Sequence, residues 1–331
     1  FNLAVHAMEN AVDNGVKLNL EEEVICITNK SEYYLVKTNK NEYEAKVVIN
    51  CAGLASDKIA KMVEDIDWKI TPRKGEYYVL DHYAPGLVNH TIFPLPSEKG
   101  KGILVTMTTS GNYLVGPSSE PIDDIDDVST DKETLNNVKK QALDMVPSIP
   151  FAQTVRVFSG NRPTSSRHDF IIEHAKDQPR FINVAGIESP GLVSSPAIAE
   201  YVINNLVKPV IELEPRHDFN PWVYRYTKIK NLSLESRNKL IEKNPHFGIV
   251  ICNCEYVTLG EIEEALARSV PPRSVKGVKR RLRAGFGKCQ GGFCSSAVTL
   301  ILAKHYKVSP TDIVWDKEDG YILLEKVKEG K

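Results

Sequence analysis

Four cysteines gathered at two places near the C-terminus constrain this chain more than any other feature. Cys252-Asn253-Cys254 is a C-x-C pair, and Cys289-Gln290-Gly291-Gly292-Phe293-Cys294 is a C-x4-C pair. A helix-capable stretch separates them, and Gly285, Gly287, Gly291 and Gly292 surround the second pair. Four thiolates brought together from two tight loops make a soft tetrahedral sulfur site, suited to zinc or to an iron–sulfur cluster. Structural zinc sites usually use C-x2–4-C knuckles, so C-x-C with C-x4-C fits zinc poorly. Glycines beside a cluster let backbone N–H groups approach the sulfurs and tune its potential. The spacing therefore favours a cluster on Cys252, Cys254, Cys289 and Cys294 over a zinc knuckle or unliganded thiols.

The run from Ile251 to Glu255, taken with the run from Arg283 to Cys294, resembles the bacterioferritin-associated-ferredoxin-like [2Fe-2S] domain. In particular it is similar to the version fused to the C-terminus of anaerobic glycerol-3-phosphate dehydrogenases. The resemblance implies a [2Fe-2S] centre on those four cysteines. Such a centre is a net dianion, which the nearby Lys276, Lys279, Arg280, Arg281 and Arg283 would stabilise. Solvation of a basic helix face accounts for most of these cations more simply.

Bulk properties agree with a cytosolic redox protein. A length of 331 residues predicts two or three domains. The net charge of −1 argues against nucleic acid as a partner, and the basic helix lacks interleaved aromatics. Six cysteines are too few for a disulfide scaffold at this length. With four committed to one site, Cys26 and Cys51 read as small buried hydrophobes within strand-like runs. No apolar stretch reaches the roughly 20 residues of a membrane span. The expected location is cytoplasmic, peripheral to a membrane through a partner. The chain opens at Phe1, in mid-helix, and reads as a fragment.

Residues 1–60 give an α/β pattern. A helix over Phe1 to Val12 stops at Asn14-Gly15, and Val16 to Leu20, Val24 to Thr28 and Tyr33 to Thr38 read as short strands. The run Val47-Val48-Ile49-Asn50-Cys51-Ala52-Gly53 reads as a buried parallel strand whose carboxyl end allows close backbone approach. A second unit runs from strand Phe181–Ala185 through Gly186, Ser189, Gly191, Leu192 and Val193 into a helix. That helix is expected to have Ser as N-cap and Pro196 in its first turn. A helix N-terminus there would present N–H donors to an electron-rich group.

Together, I-N-C-A-G-L-A-S-D and V-A-G-I-E-S-P-G-L-V-S-S-P-A resemble the second and last FAD-contacting segments of D-amino-acid-oxidase-like flavoproteins. That family includes glycerol-3-phosphate dehydrogenases, glycine and sarcosine oxidases and 2-hydroxyglutarate dehydrogenases. The resemblance covers roughly residues 1–210. It implies FAD contacts at Cys51, Ala52, Gly53, Gly186, Ser189, Gly191, Leu192 and Val193. The family opens with a βαβ unit carrying G-x-G-x-x-G, whose backbone holds the FAD pyrophosphate. No such unit is present, so the N-terminal FAD-binding segment is missing and becomes an expected partner.

Alternating runs around Thr71–Leu80, Gly102–Met107, Tyr113–Ser118 and Thr154–Pro163 predict an antiparallel sheet, the substrate domain the resemblance implies. Arg162 lies in G-N-R-P, matching the family's G-x-R-P, where arginine binds the carboxylate or phosphate of a small anionic substrate. A planar, always charged guanidinium suits bidentate anion recognition. A strand-end arginine in a salt bridge is the plainer alternative. Arg73 and Lys74 are weaker candidates. His82, His90 and His168 leave the catalytic base unassigned, and Asp123 to Asp127 reads as a solvated turn before a helix.

The expected class is α+β and α/β. A partial FAD-binding Rossmann-like domain spans 1–65 and 166–210, with an inserted antiparallel substrate domain at 66–165. A linker (211–245), a helical [2Fe-2S] domain (246–308) and a tail (309–331) follow. Thr258 and Glu261 form a capping box for its first helix. The implied activity is a glycerol-3-phosphate-dehydrogenase-like flavin oxidation. Electrons would pass through the cluster to a quinone-linked subunit or other electron acceptor protein. A 2-hydroxyacid or amino-acid dehydrogenase and a non-catalytic electron-transfer scaffold are the alternatives.

Overall fold

The computed structural model describes residues 1–82, 86–95 and 102–325. The chain forms two compact units, Phe1–Leu18 with Arg216–Lys331, and Asn19–Pro215. The first helix, α1 (Asn2–Asp13), thus groups with the C-terminal half and not with residues 19–65. Side-chain chemistry explains the grouping. The Tyr226 hydroxyl donates to the buried Glu9 carboxylate at 2.7 Å, and the Asn14 amide donates to the Asn220 carbonyl at 2.9 Å. Arg268 approaches the same Glu9 at 3.8 Å, and a buried carboxylate requires such partners.

In the unit Asn19–Pro215, β1 (Val24–Asn29), β2 (Tyr34–Thr38) and β3 (Glu42–Ala45) form an antiparallel meander. The run Val16 to Leu20 joins no ladder. Next come β4 (Val48–Asn50), helix α2 (Ser56–Ala60) and the long β5 (Ile70–Leu80). Strands β6 (Leu104–Met107), β7 (Tyr113–Gly116) and β8 (Glu120–Pro121) precede α3 (Lys132–Met145) and β9 (Thr154–Ser165). Strands β10 (Ile171–Ala175) and β11 (Gln178–Ala185) lead into α4 (Gly191–Tyr201), which continues as a π-helical turn over Val202–Val207.

Two sheets organise this unit. One has the order β10-β11-β4, with β4 parallel to β11, as its Val-Ile-rich run predicted. It is not buried as expected: β4 is paired on one side only, and Ile49 is 41% exposed. The other is antiparallel, with β6-β7-β5-β8 in order and β9 paired along the length of β5. Leu80, Val105, Tyr113 and Val115 pack beneath Val138 and Ala142 of α3. Strand residues alternate between faces, so the even positions of β5 turn toward α3. The odd positions Arg73, Gly75 and Tyr77 lie on the opposite face with their register partners Arg162, Gly160 and Phe158. Asp131 caps α3 by accepting from the Thr134 N–H at 2.9 Å, and the acidic run before it is not simply solvated, since Asp127 accepts from the buried Lys74 at 2.8 Å.

The C-terminal unit is helical. The segment expected as a linker, 211–245, contains α5 (Leu234–Lys243), started by the Ser233 cap. Strands β12 (Val250–Cys252) and β13 (Val257–Thr258) form a small hairpin before α6 (Leu259–Leu266). The expected capping box forms at Thr258 and Glu261, and Ile262, Ala265 and Leu266 enter the core. Helices α7 (Val275–Leu282) and α8 (Ser295–Tyr306) complete it, packing Val278, Leu282, Val298 and Leu302 around Cys252 and Cys294. Part of the expected tail, 326–331, lies outside the described residues. Among the described residues no helix is long and apolar enough to cross a membrane.

Candidate functional site

Parallel pairing of β4 with β11 sets Asn50 directly beside Asn183. The buried Asn50 amide donates to Asn183 Oδ1 at 2.9 Å and to the Ser56 carbonyl at 2.8 Å, and Asn183 donates on to Glu64 at 3.0 Å. This network fixes the loop through Cys51, Ala52 and Gly53 at the carboxyl end of β4. Gly53 takes a left-handed φ of +58°, and a Cβ built there meets nothing within 4 Å, so its backbone lies open. Cys51 is exposed, as is Cys26, contrary to the expected burial, because Cys26 lies on an edge strand and Cys51 in the loop that follows β4.

The second loop is equally specific. At Gly186 φ is +65°, and a Cβ would sit 2.7 Å from Ser165 Cβ. At Gly191 a Cβ would sit 2.6 Å from Ile187. The helix opens at Gly191 with Pro190 as N-cap and no side-chain cap, upstream of the expected serine, so Pro196 falls inside it. Ser194 and Ser195 instead donate back to the carbonyls of Pro190 and Leu192. Leu192 is exposed and Val193 is 82% exposed, an apolar rim at the start of α4. The short helical turn Gly53–Ala55 packs against β5 and β9, and the second loop meets β9 at Ser165 and Thr164, so within this unit both loops border the antiparallel sheet.

Arg162 is the link. Its side chain crosses β5 to donate from Nη2 to the Ser118 carbonyl at 3.0 Å, with Nε 3.5 Å from the Arg73 carbonyl. Gly75 lies under that arm; a Cβ there would stand 3.2 Å from Nη2 and 2.9 Å from Pro117 Cβ. Arg162 is half-buried, and among the described residues no carboxylate comes within ion-pair range. Burial lowers its proton affinity, while Tyr77 and Glu188 oppose that effect. Glu188, in the second loop, is held by the Thr164 hydroxyl at 2.7 Å. The remaining N–H donors of the guanidinium are therefore available to an anion. The expected salt bridge forms elsewhere: Arg167, not Arg162, pairs with Asp67 and with Glu173. His168 stands on an exposed turn at φ +56°, and His82 bonds its neighbour Asp81 at 2.9 Å.

In the C-terminal unit the four predicted cysteines form two pairs, each with one thiol from either loop. Cys254 Sγ and Cys289 Sγ are 3.7 Å apart near the surface, whereas Cys252 and Cys294 are 1% and 3% exposed. The Cys294 thiol hydrogen-bonds Cys252, and with the N–H groups of Gly285 and Glu255 it holds the Cys252 thiol down to about 6; Cys294 is pushed up. Cys289 is lowered too: burial raises it, but the N–H groups of Gly291 and Phe293 and the Cys254 thiol outweigh that. Amides aimed at sulfur favour thiolates. Gly287 has no alternative, because a Cβ there would lie 2.3 Å from Cys254 Cβ. Among the described residues no three ligands yet surround one point. The donor set, four thiols with backbone N–H groups turned toward them, fits a thiolate-held cluster.

The basic helix beside this site is not a solvated face. Lys279 is 3% exposed, donates to Gln290 Oε1 at 3.2 Å and lies over the Phe286 ring at 4.8 Å. Arg283 bonds the buried Glu255 at 2.9 Å, and Lys276 pairs with Asp316 at 2.5 Å. Gly75, the packing role of Gly287 and the Asn50–Asn183 pair were missed from sequence. An isolated glycine inside a strand run was the available signal for the first.

Comparison with known proteins places these features. Residues 1–204 match the family model "FAD dependent oxidoreductase", and residues 250–304 match "BFD-like [2Fe-2S] binding domain". A glycerol 3-phosphate dehydrogenase of Caloramator mitchellensis is 46% identical over 320 residues, covering 97% of this chain and 67% of that protein. One polypeptide of the anaerobic glycerol-3-phosphate dehydrogenase of Haemophilus influenzae is 23% identical, over 94% of this chain and 61% of its own. The dithionite-reduced L-alpha-glycerophosphate oxidase of Mycoplasma pneumoniae, solved with FAD bound, superimposes with a TM-score of 0.59 at 30% identity. It covers 65% of this chain and 58% of its own. The chain thus spans about three fifths to two thirds of the lengths of these relatives.

Proposed function

The chain belongs to the FAD-dependent oxidoreductase family, and from that membership we propose that it serves in the flavin-dependent oxidation of glycerol 3-phosphate or a similarly small hydroxy substrate. Cys252, Cys254, Cys289 and Cys294 would hold a [2Fe-2S] cluster to carry the electrons onward. The observation that carries this reading is Arg162: a half-buried guanidinium without a carboxylate partner among the described residues, bordered by the two loops that resemble flavin-contacting segments. Such a group is suited to the phosphate of a substrate presented to the flavin.

When bound, the flavin supplies a hydride acceptor for the carbon bearing the hydroxyl, and the cluster supplies single-electron steps. The chain's own residues bind and orient. Arg162 fixes the anionic end of the substrate, while Cys51, Ala52, Gly53, Gly186, Ser189, Gly191, Leu192 and Val193 present open backbone and apolar surface to the cofactor. The fit is to part of FAD, because no strand–G-x-G-x-x-G–helix unit supplies a pyrophosphate cradle. A complete site then draws on further polypeptide, and the bare edge of β4 is where a parallel strand would join. The electron acceptor is a quinone-linked subunit or other protein, and the location cytoplasmic, peripheral to the membrane through that partner.

Anaerobic flavin bleaching by the complete flavoprotein tests the reading. Glycerol 3-phosphate should bleach it faster than 2-hydroxyacids or amino acids. Preference for a carboxylate substrate would favour the 2-hydroxyacid reading, and no bleaching by any of them would leave an electron-transfer scaffold.

A further inference from the structure

On the open face of the substrate sheet, Arg73 of β5 and Arg162 of β9 are direct register partners. Side chains opposite each other in an antiparallel pair share a face with Cβ atoms about 5 Å apart, and like charges placed so are destabilising. Among the described residues no carboxylate lies within ion-pair range of either arginine. Tyr77 and then Glu188 act on Arg162 favourably, and Arg73 itself acts on it as a repelling charge. The next register pair along the same face is Gly75 with Gly160. A Cβ on Gly160 would meet nothing within 4 Å, whereas the Arg162 arm and Pro117 lie over Gly75, so the floor beyond the arginines is bare on the Gly160 side. Tyr77 and Phe158, stacked with ring centres 5.1 Å apart, close it at the following pair. Along this face a pair of cations is thus followed by a pair of glycines, with the Arg162 arm over Gly75, and then by a stacked aromatic pair.

We propose that Arg73 is a specificity-determining residue which, with Arg162, forms a two-guanidinium clamp selecting a phosphoryl dianion over a carboxylate. This rests on the phosphate-ester reading above and names what would enforce it. A phosphate monoester carries about −1.5 to −2 charge at pH 7 and three acceptor oxygens, enough to occupy both forks. A carboxylate carries one charge and two oxygens, which a single guanidinium satisfies. The repulsion that the pair bears without ligand is relieved when a dianion lies between them.

Isothermal titration of the full chain with inorganic phosphate, and with lactate as the carboxylate probe, tests this at low ionic strength and near-neutral pH. Wild type should bind phosphate more tightly than lactate. Arg73→Met should weaken phosphate at least tenfold and lactate less than threefold, while Arg162→Met weakens both. Arg73→Lys should recover part of the phosphate affinity, since it restores charge without the fork. The thermal midpoint of Arg73→Met should equal or exceed that of wild type. Unchanged phosphate affinity in Arg73→Met, equal loss for both anions, a thermal midpoint several degrees lower, or no phosphate binding by wild type would each overturn the clamp. None of these readouts requires flavin, so their failure leaves the flavin-dehydrogenase reading to its own bleaching test.

Discussion

Gly75 lies directly beneath the Arg162 guanidinium: a Cβ on Gly75 would approach Nη2 to 3.2 Å. The glycine is there because an arginine arm crosses the strand at that point, on its way to the Ser118 carbonyl.

Gly75→Ala should therefore act on substrate affinity at a distance. The new methyl also meets Pro117 Cβ at 2.9 Å, so the arm and the Pro117 loop cannot both stay in place. Overpacking of this kind costs about 1–3 kcal/mol. In the complete flavoprotein we expect KM to rise about tenfold or more, while flavin content is unchanged. Steady-state kinetics with a flavin absorbance measurement would check this, and an unaltered KM would refute the coupling.

The cluster site makes a compositional prediction. Protein prepared without oxygen should hold about two irons and two sulfides per chain. Any one of Cys252, Cys254, Cys289 or Cys294 changed to Ser should lower that content. Gly287→Ala should lower it as well, because its Cβ would overlap Cys254 Cβ at 2.3 Å. Iron and sulfide analysis, with visible absorption, decides; stoichiometric zinc in colourless anaerobic protein would reject the cluster.

Glu76 predicts a pH dependence. It is 1% exposed and takes the Asp131 N–H on both carboxylate oxygens, and burial raises its pKa above the ordinary 4.5. A carboxyl whose folded pKa is raised contributes stability while protonated. That contribution falls as pH rises from about the unfolded value through the folded one. Glu76→Gln keeps an acceptor for the Asp131 N–H but does not ionise. Its thermal midpoint should match wild type below the ordinary carboxylate range and exceed it increasingly toward neutrality. A difference independent of pH would contradict the assignment.

These 331 residues by themselves should bind FAD weakly. The loops at Gly53 and Gly186–Val193 offer backbone to a flavin, but the N–H donors and helix dipole that hold a pyrophosphate are not among them. Supplying an N-terminal G-x-G-x-x-G unit, in cis or as a separate chain, should give yellow protein. Tight, stoichiometric FAD on the present chain would show that the anchoring lies elsewhere.

What could be read in advance was whatever one dimension encodes. Cysteine spacing, the Thr258–Glu261 capping box and the alternation of β5 and β9 are local patterns, and the last of these placed Arg162 on a sheet. The pairing of Arg73 with Arg162 was not legible, since register between strands so far apart in sequence is set by tertiary contacts. The exposure of Cys26 and Ile49 was not legible because apolar composition does not tell an edge strand from a central one, and that of Cys51 because β4 ends one residue before it. Lys279 erred the other way: an aromatic and amide environment from distant residues buries a lysine that its helix alone would leave in water.

The Asn50–Asn183 bond has a consequence for the order in which this molecule comes into being. Its two partners are 133 residues apart, and β4 pairs with no other strand among the described residues. At about 5–20 residues per second of synthesis, the edge of β4 that takes β11 waits on the order of ten seconds on the ribosome before β11 emerges. Over that interval the unpaired edge of β4 is a template for any extended segment nearby.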